Sequence, residues 1–250
     1  MPEPTRADAP SSTMSVPQKL YSWLAAFFVT ALITANLIGA KFFYFGDVSI
    51  LGLDLRIEHS VGMFAFPITF LLTDLLNEYY GKRAARRVTY IGLATSSFAF
   101  LLIYLARVAP PAPADRTFVV EQTFQDVFKV GNVMIVASLA AYMLGQLTDI
   151  WVFHIFKRIT GGRLLWLRAT GSTVVSQGVD SLTISLVLGY GSALATGERA
   201  SLEFILVTAA KGYILKFVIA VCITPLIYAG HAVMHRVLGL QPLPAASPRA

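Results

Sequence analysis

The amino-acid sequence predicts an all-α fold, a polytopic membrane bundle of six transmembrane helices, and three observations carry that prediction. The 250 residues are 56% hydrophobic and only 14% charged, with a mean hydropathy of +0.64, where soluble domains run near 45–50% apolar and about 25% charged. Six long apolar runs follow one another. Each meets the ~20 residues that a helix needs to cross the hydrocarbon core. The runs are also continuous rather than alternating, which excludes a transmembrane β-barrel.

In order, the spans lie at roughly 20–40, 61–80, 88–107, 132–156, 172–195 and 203–230. Residues 1–19 and 236–250 are rich in Pro, Ala and Ser without an apolar period and are expected to be mobile tails, leaving 20–235 as one six-helix transmembrane domain. A cleaved signal peptide ending at Gly39-Ala40 is the rival reading of the first span. Its apolar run is long for that role and carries Thr30, Thr34 and Asn36. Only the stretch between spans three and four is expected to be a long connection.

Basic residues alternate from loop to loop. Lys82, Arg83, Arg86 and Arg87 follow span two, Lys157, Arg158, Arg163 and Arg168 follow span four, and the termini add Arg6, Lys19, Arg236 and Arg249. The opposite side holds six basic residues mixed with eight acids. Lys and Arg collect in cytoplasmic loops, so both termini and the two basic loops are expected to face the cytoplasm. The same distribution argues against a nucleic-acid partner despite the net charge of +6. A single cysteine, Cys222, rules out an internal disulfide. Neither a Gly-rich phosphate loop nor an HExxH metal motif occurs, so no cofactor and no metal are expected. His154, His231 and His235 fit interfacial or hydrogen-bonded roles better than metal ligation.

The polar residues inside the spans carry the functional signal. A carboxylate at the bilayer centre costs about 2.5–3.5 kcal/mol on insertion scales and marks a functional site by default. Four acids lie in the spans: Asp74 and Glu78 in span two, Asp149 in span four and Asp180 in span five. Asp74 and Glu78 are four residues apart, as are Thr73 and Asn77, so each pair follows one helix face. The segments "GQLTD" and "SQGVD" repeat a Gln-x-x-Asp spacing in consecutive spans, pairing Gln146 with Asp149 and Gln177 with Asp180. These residues predict a shared polar cavity, reached from the cytoplasmic half, that suits a planar hydrogen-bonding ligand better than a bare ion. In span six, Lys216 is expected to offset one of the aspartates. Four acids against Lys211 and Lys216 leave a deficit that protonation, a cationic ligand, or a coupling H+ or Na+ would fill. Interhelical hydrogen bonding alone is the structural rival for each amide and acid. Pro67 and Pro225 interrupt spans two and six, and Tyr79 and Tyr80 read as interface anchors. Ala31, Ala35 and Gly39 form a small-residue stripe on span one; a neighbouring helix of the same chain is expected to fill it, with a separate subunit as the alternative.

The segments "ANLIGAK", "TDLLNEYYGKRAARR", "LGQLTDIWVFHIFK", "LLWLRATGSTVVSQGVDS" and "YILKFVIAVCITPLIY" together resemble the queuosine precursor transporter family of vitamin-uptake-type membrane proteins. The resemblance runs from about Asn36 to Tyr228. It implies a six-helix inner-membrane importer of 7-deazaguanines bearing a 7-cyano or 7-aminomethyl group. It assigns substrate contact to Asn36, Asp74, Asn77, Glu78, Gln146, Asp149, Ser176, Gln177, Asp180 and Lys216, with Asp149 or Asp180 accepting the two donors of the deazaguanine edge and a place at the cytoplasmic exit or a gate as the alternative for Asn77 and Glu78. Departures occur at Ala169, Thr170, Gly178 and Ser181, which bear on the shape of the site.

Three function classes remain in play at this level. A self-contained carrier is the principal reading; a binding subunit that docks on a separate ATPase through the stripe of span one is the second. An intramembrane aspartyl enzyme using Asp74 and Asp149 is the third, and it lacks a nucleophile with an activating base. The oligomeric state, a homo-oligomer included, is left open.

Overall fold

The computed structural model describes residues 14–39, 41–50, 53–113, 119–128, 132–196 and 200–244. Residues 1–13 and 245–250 of the expected tails, and Ala40 of the signal-peptide alternative, lie outside the described residues.

Helix α1 (Val16–Ile38) starts where the sequence supplies a start signal. Ser15 accepts from the Gln18 backbone while the Gln18 side chain accepts from the Ser15 N–H, with Pro17 in the first turn. An antiparallel hairpin follows, β1 (Phe42–Ile50) and β2 (Leu53–Ser60), with a bulge between Tyr44 and Gly46. Gly46 sits at φ 135°, a conformation that glycine alone adopts readily. A 3₁₀ turn, Val61–Ala65, leads into α2 (Phe66–Leu75), which continues through a π-helical turn, Leu76–Tyr80.

Helix α3 (Gly81–Val108) follows α2 with no loop between them. Gly81 takes φ 79° and ψ 174°, and that one residue reverses the chain. Contacts with α1 show the reversal. Tyr80 Oη donates to Pro17 O at 2.9 Å and Tyr21 Oη to Ala84 O at 3.4 Å, so α2 ends and α3 begins beside the start of α1. Further along, Gly92 of α3 faces Phe28 and Leu32. At the other end of α1, Ser60 Oγ donates to Gly39 O at 2.7 Å. The expected basic loop after span two is therefore the first turns of α3. A 48-residue helix would be about 72 Å long at ~1.5 Å per residue, more than two bilayer cores; the turn at Gly81 folds it into two rods.

A short helix α4 (Glu121–Val127) precedes α5 (Asn132–Ile159), α6 (Leu165–Thr196) and α7 (Leu202–Cys222). Helix α8 (Thr224–Ala232) continues α7 past a break at Ile223, with Pro225 in its first turn, and ends in a π-helical turn, Val233–Val237. Pro67 likewise lies in the first turn of α2, so both prolines start helices and withdraw no interior hydrogen bond.

Neighbours close a ring: α1 packs on α3, α3 on α5, α5 on α6, α6 on α7 and α8, these on α2, and α2 on α1. The all-α membrane bundle holds, with the hairpin added at one end. Four segments among the described residues are long and apolar enough to cross a membrane: Val16–Ile38, Val61–Val108, Met134–Ile159 and Leu202–Val237. Helix α6 has the length but carries Ser172, Thr173, Ser176, Gln177 and Asp180, most of them turned inward. The small-residue stripe of α1 is filled from within the chain. A Cβ on Gly62 would lie 2.4 Å from Ala35 O and 3.3 Å from Gly39 Cα, so the 3₁₀ turn approaches α1 at backbone contact.

Candidate functional site

The ring encloses a cavity of about 1120 Å³. Five of the expected site residues reach it from the α5–α6 pair, whose antiparallel course brings the two amide-acid repeats together. Gln146 and Asp149 enter from α5, and Ser176, Gln177 and Asp180 from α6. Gly145 makes this possible, because a Cβ there would stand 3.3 Å from Asp180 Cβ. Asn36 from α1 and Lys216 from α7 complete the expected residues on its wall.

Each polar group on the wall has a distinct setting. Asp149 Oδ1 accepts from Ser172 Oγ at 2.9 Å and Ser176 Oγ at 3.3 Å. Hydroxyls hold it, and among the described residues no cation is paired with it. Asp180 is paired with Lys216 Nζ, the pairing anticipated from charge. The same ammonium lies 5.2 Å from the Phe66 ring centroid, a cation-π distance that fixes it on the cavity wall. Gln146 Oε1 is 3.4 Å from Thr73 Oγ1, which ties α5 to α2. Gln177 is buried and its Oε1 makes no hydrogen bond to protein. An unmade bond in such a place costs about 1–3 kcal/mol, so this acceptor is poised for a ligand donor. Asn36 spends its amide nitrogen on Leu32 O at 3.0 Å.

Asp74, Asn77 and Glu78 are placed elsewhere. Helix α2 carries them past the cavity floor toward the end where α3 starts, so they do not line the cavity with Asp149 and Asp180. Glu78 is fully buried and saturated by cations. Its Oε1 takes Arg168 Nη2 at 2.9 Å, and its Oε2 takes Arg168 Nε at 3.1 Å and Lys157 Nζ at 3.1 Å. Arg168 Nη1 also donates to Gly162 O, in the turn where Gly161 and Gly162 take φ 57° and 80°. The Leu243 N–H caps the cluster by donating to Glu78 O at 2.9 Å. Asp74 and Asn77 are 1% and 0% exposed, and none of their side-chain oxygens or nitrogens is hydrogen-bonded among the described residues.

The cavity opens at the hairpin end. Its wall extends to Phe42 and Phe204, which are 63% and 65% exposed. The expected entrance lay at the opposite, basic end. There the Glu78 cluster closes the bundle, because Lys157 and Arg168 point inward instead of into a loop.

Sequence reading missed several wall residues. Phe66 and Phe70 stack at 5.9 Å and both face the cavity, as do Thr69, Ser96, Ser181 and Lys211. The run "FAFPITF" was the signal for Phe66, Thr69 and Phe70. Tyr79, read as an interface anchor, is buried in the core with its hydroxyl 3.2 Å from His231 Nδ1. The hairpin had a signal too: Leu53, Leu55 and Ile57 alternate with Asp54, Arg56 and Glu58.

Comparison with known proteins places this geometry in context. Residues 60–230 match the family described as "Putative vitamin uptake transporter". The chain is 29% identical over 171 residues to the "Probable queuosine precursor transporter" of Bacillus subtilis (strain 168), covering 68% of this chain and 70% of that protein. It is 29% identical over 170 residues to the "Queuosine precursor transporter" of Escherichia coli (strain K12), covering 68% of each. A Haemophilus influenzae protein called "Probable queuosine precursor transporter" is 26% identical over 56% of each chain. No solved structure matches.

Proposed function

Since this chain belongs to the vitamin uptake transporter family, we propose that it imports 7-deazaguanine precursors of queuosine across the bacterial inner membrane. The substrate is a 7-cyano- or 7-aminomethyl-7-deazaguanine. It binds in the cavity between α2, α5, α6 and α7 and is released to the cytoplasm. The observation that carries this reading is the convergence of the two Gln-x-x-Asp pairs on one cavity wall.

A deazaguanine presents a ring N–H and an exocyclic amine beside a carbonyl oxygen. Asp149, held by hydroxyls alone, is the group best suited to accept the paired donors in a charge-assisted contact. The unpartnered Gln177 carbonyl and the Gln146 amide serve the rest of the edge, with Asn36 and Ser176 alongside. Asp180 and Lys216 present a neutral pair whose ammonium can donate to the substrate carbonyl. Phe66 and Phe70 supply aromatic faces for the planar ring, a contact worth about 1–3 kcal/mol per base. Ligand pockets typically measure about 300–1,000 Å³, so the substrate fills the inner part of the cavity and the outer part is its vestibule.

With the basic end in the cytoplasm, all six rods span the bilayer, the termini are inside and the cavity faces outward. The Glu78, Lys157 and Arg168 cluster is then the closed inner gate. A self-contained carrier is favoured over an ATPase-dependent subunit because Gly62 already occupies the α1 stripe. The test is reconstitution of the pure protein in liposomes. Saturable uptake of labelled 7-cyano-7-deazaguanine without any partner protein is expected, and uptake only after addition of an ATPase module would reject the carrier.

A further inference from the structure

Asp74 has no compensating charge of its own. A buried carboxylate with no donor on either oxygen is several kcal/mol uphill unless a cation offsets it. Asp74 lies near enough to Asp149, Glu78 and Arg168 to feel their charges. The cations around it are committed: both Arg168 and Lys157 are bound by Glu78, and Lys216 by Asp180. Helix α8 contributes His231, engaged with Tyr79, and α1 only Lys19 at its exposed start. Asn77 lies one turn further along the same face with its whole amide unpartnered, in the π-helical turn. Such turns in α-helices are frequently functional.

We propose that Asp74, with Asn77 beside it, is the proton-binding site that couples this carrier to the proton gradient, separate from the substrate cavity. This deepens the transport reading and rests on it. Hard metal cations take about six or more oxygens, whereas the side chains of Asp74 and Asn77 offer three. A proton needs only one carboxylate oxygen, and Asn77 offers the acid a carbonyl to donate to. The proton enters from the outward cavity, whose wall holds Asp149, a neighbour of Asp74. It leaves inward when the gate opens: Arg168, released from Glu78, turns to Asp74 and displaces the proton to the cytoplasm. One proton bound outside is thus one proton delivered inside.

Purified full-length protein in liposomes carrying a lumenal pH dye tests this, with labelled 7-cyano-7-deazaguanine as probe. Two assays are compared, substrate exchange at equal pH and accumulation driven by an acidic exterior. In the wild type, substrate entry acidifies the lumen. In Asp74→Asn, which keeps the shape but cannot cycle a proton, exchange persists while acid-driven accumulation falls at least tenfold to the equilibrium level. Wild-type uptake that leaves lumenal pH unchanged, or that follows a sodium gradient, overturns the proposal whether or not the variant folds. Equal acid-driven accumulation by Asp74→Asn also overturns it. Absence of wild-type exchange would instead remove the deazaguanine reading on which coupling depends.

Discussion

Asp149 and Glu78 are both buried carboxylates inside one helical bundle, yet their surroundings differ in kind. Glu78 meets a guanidinium and an ammonium that use both of its oxygens. Among the described residues Asp149 meets only hydroxyls, those of Ser172, Ser176 and Thr173, and it faces a cavity. The first arrangement is closed, and a ligand has nothing to add to it. The second leaves a charge that a donor-rich substrate can still satisfy. Burial alone therefore does not identify a binding residue; the accounting of partners does.

The largest effect that would break this contrast is on stability. Glu78→Ala leaves Lys157 and Arg168 buried without a counter-charge, and loss of one partner of a buried pair costs about 3–5 kcal/mol. Thermal unfolding in detergent should show a collapse of stability, and a near-wild-type Tm would contradict the saturated cluster. Asp180→Ala comes next. It should reduce uptake by more than about tenfold, the value of a charged hydrogen bond. Because Lys216 is then unpaired, the double variant Asp180→Ala/Lys216→Ala is expected to restore folding and leave uptake lost, as read by size-exclusion profile and transport together. Gln177→Ala should raise KM about three- to tenfold, matching one neutral hydrogen bond of about 0.5–1.5 kcal/mol; an unchanged KM would remove it from the site. Smallest is Arg158→Ala. Arg158 follows Lys157 in sequence but is exposed, so its loss should change stability by less than about 0.5 kcal/mol, and a change as large as that of Lys157→Ala would erase the distinction.

The sequence made the cavity legible through spacing. Residues three apart share a helix face, so the repeated Gln-x-x-Asp in α5 and α6 announced two polar strips, and Lys216 was readable as a counter-charge. The pairing of Lys157 and Arg168 with Glu78 was not legible for the same reason that topology was. Lys157 and Arg168 fall in a basic stretch that fits the positive-inside pattern equally well whether they face headgroups or Glu78. The side on which the cavity opens depends on how the helices pack, and residue types carry no mark of that. Reversal at Gly81 was hidden because a positive φ at one glycine replaces the loop that a change of direction normally needs.

The account stands on the cavity wall as the place where substrate is held. Its most direct test is equilibrium binding of labelled 7-cyano-7-deazaguanine to the purified protein and to Asp149→Ala. The account predicts saturable binding by the wild type and a loss of at least about tenfold in the variant, equivalent to about 1.4 kcal/mol. Wild-type affinity in a folded Asp149→Ala protein would contradict it.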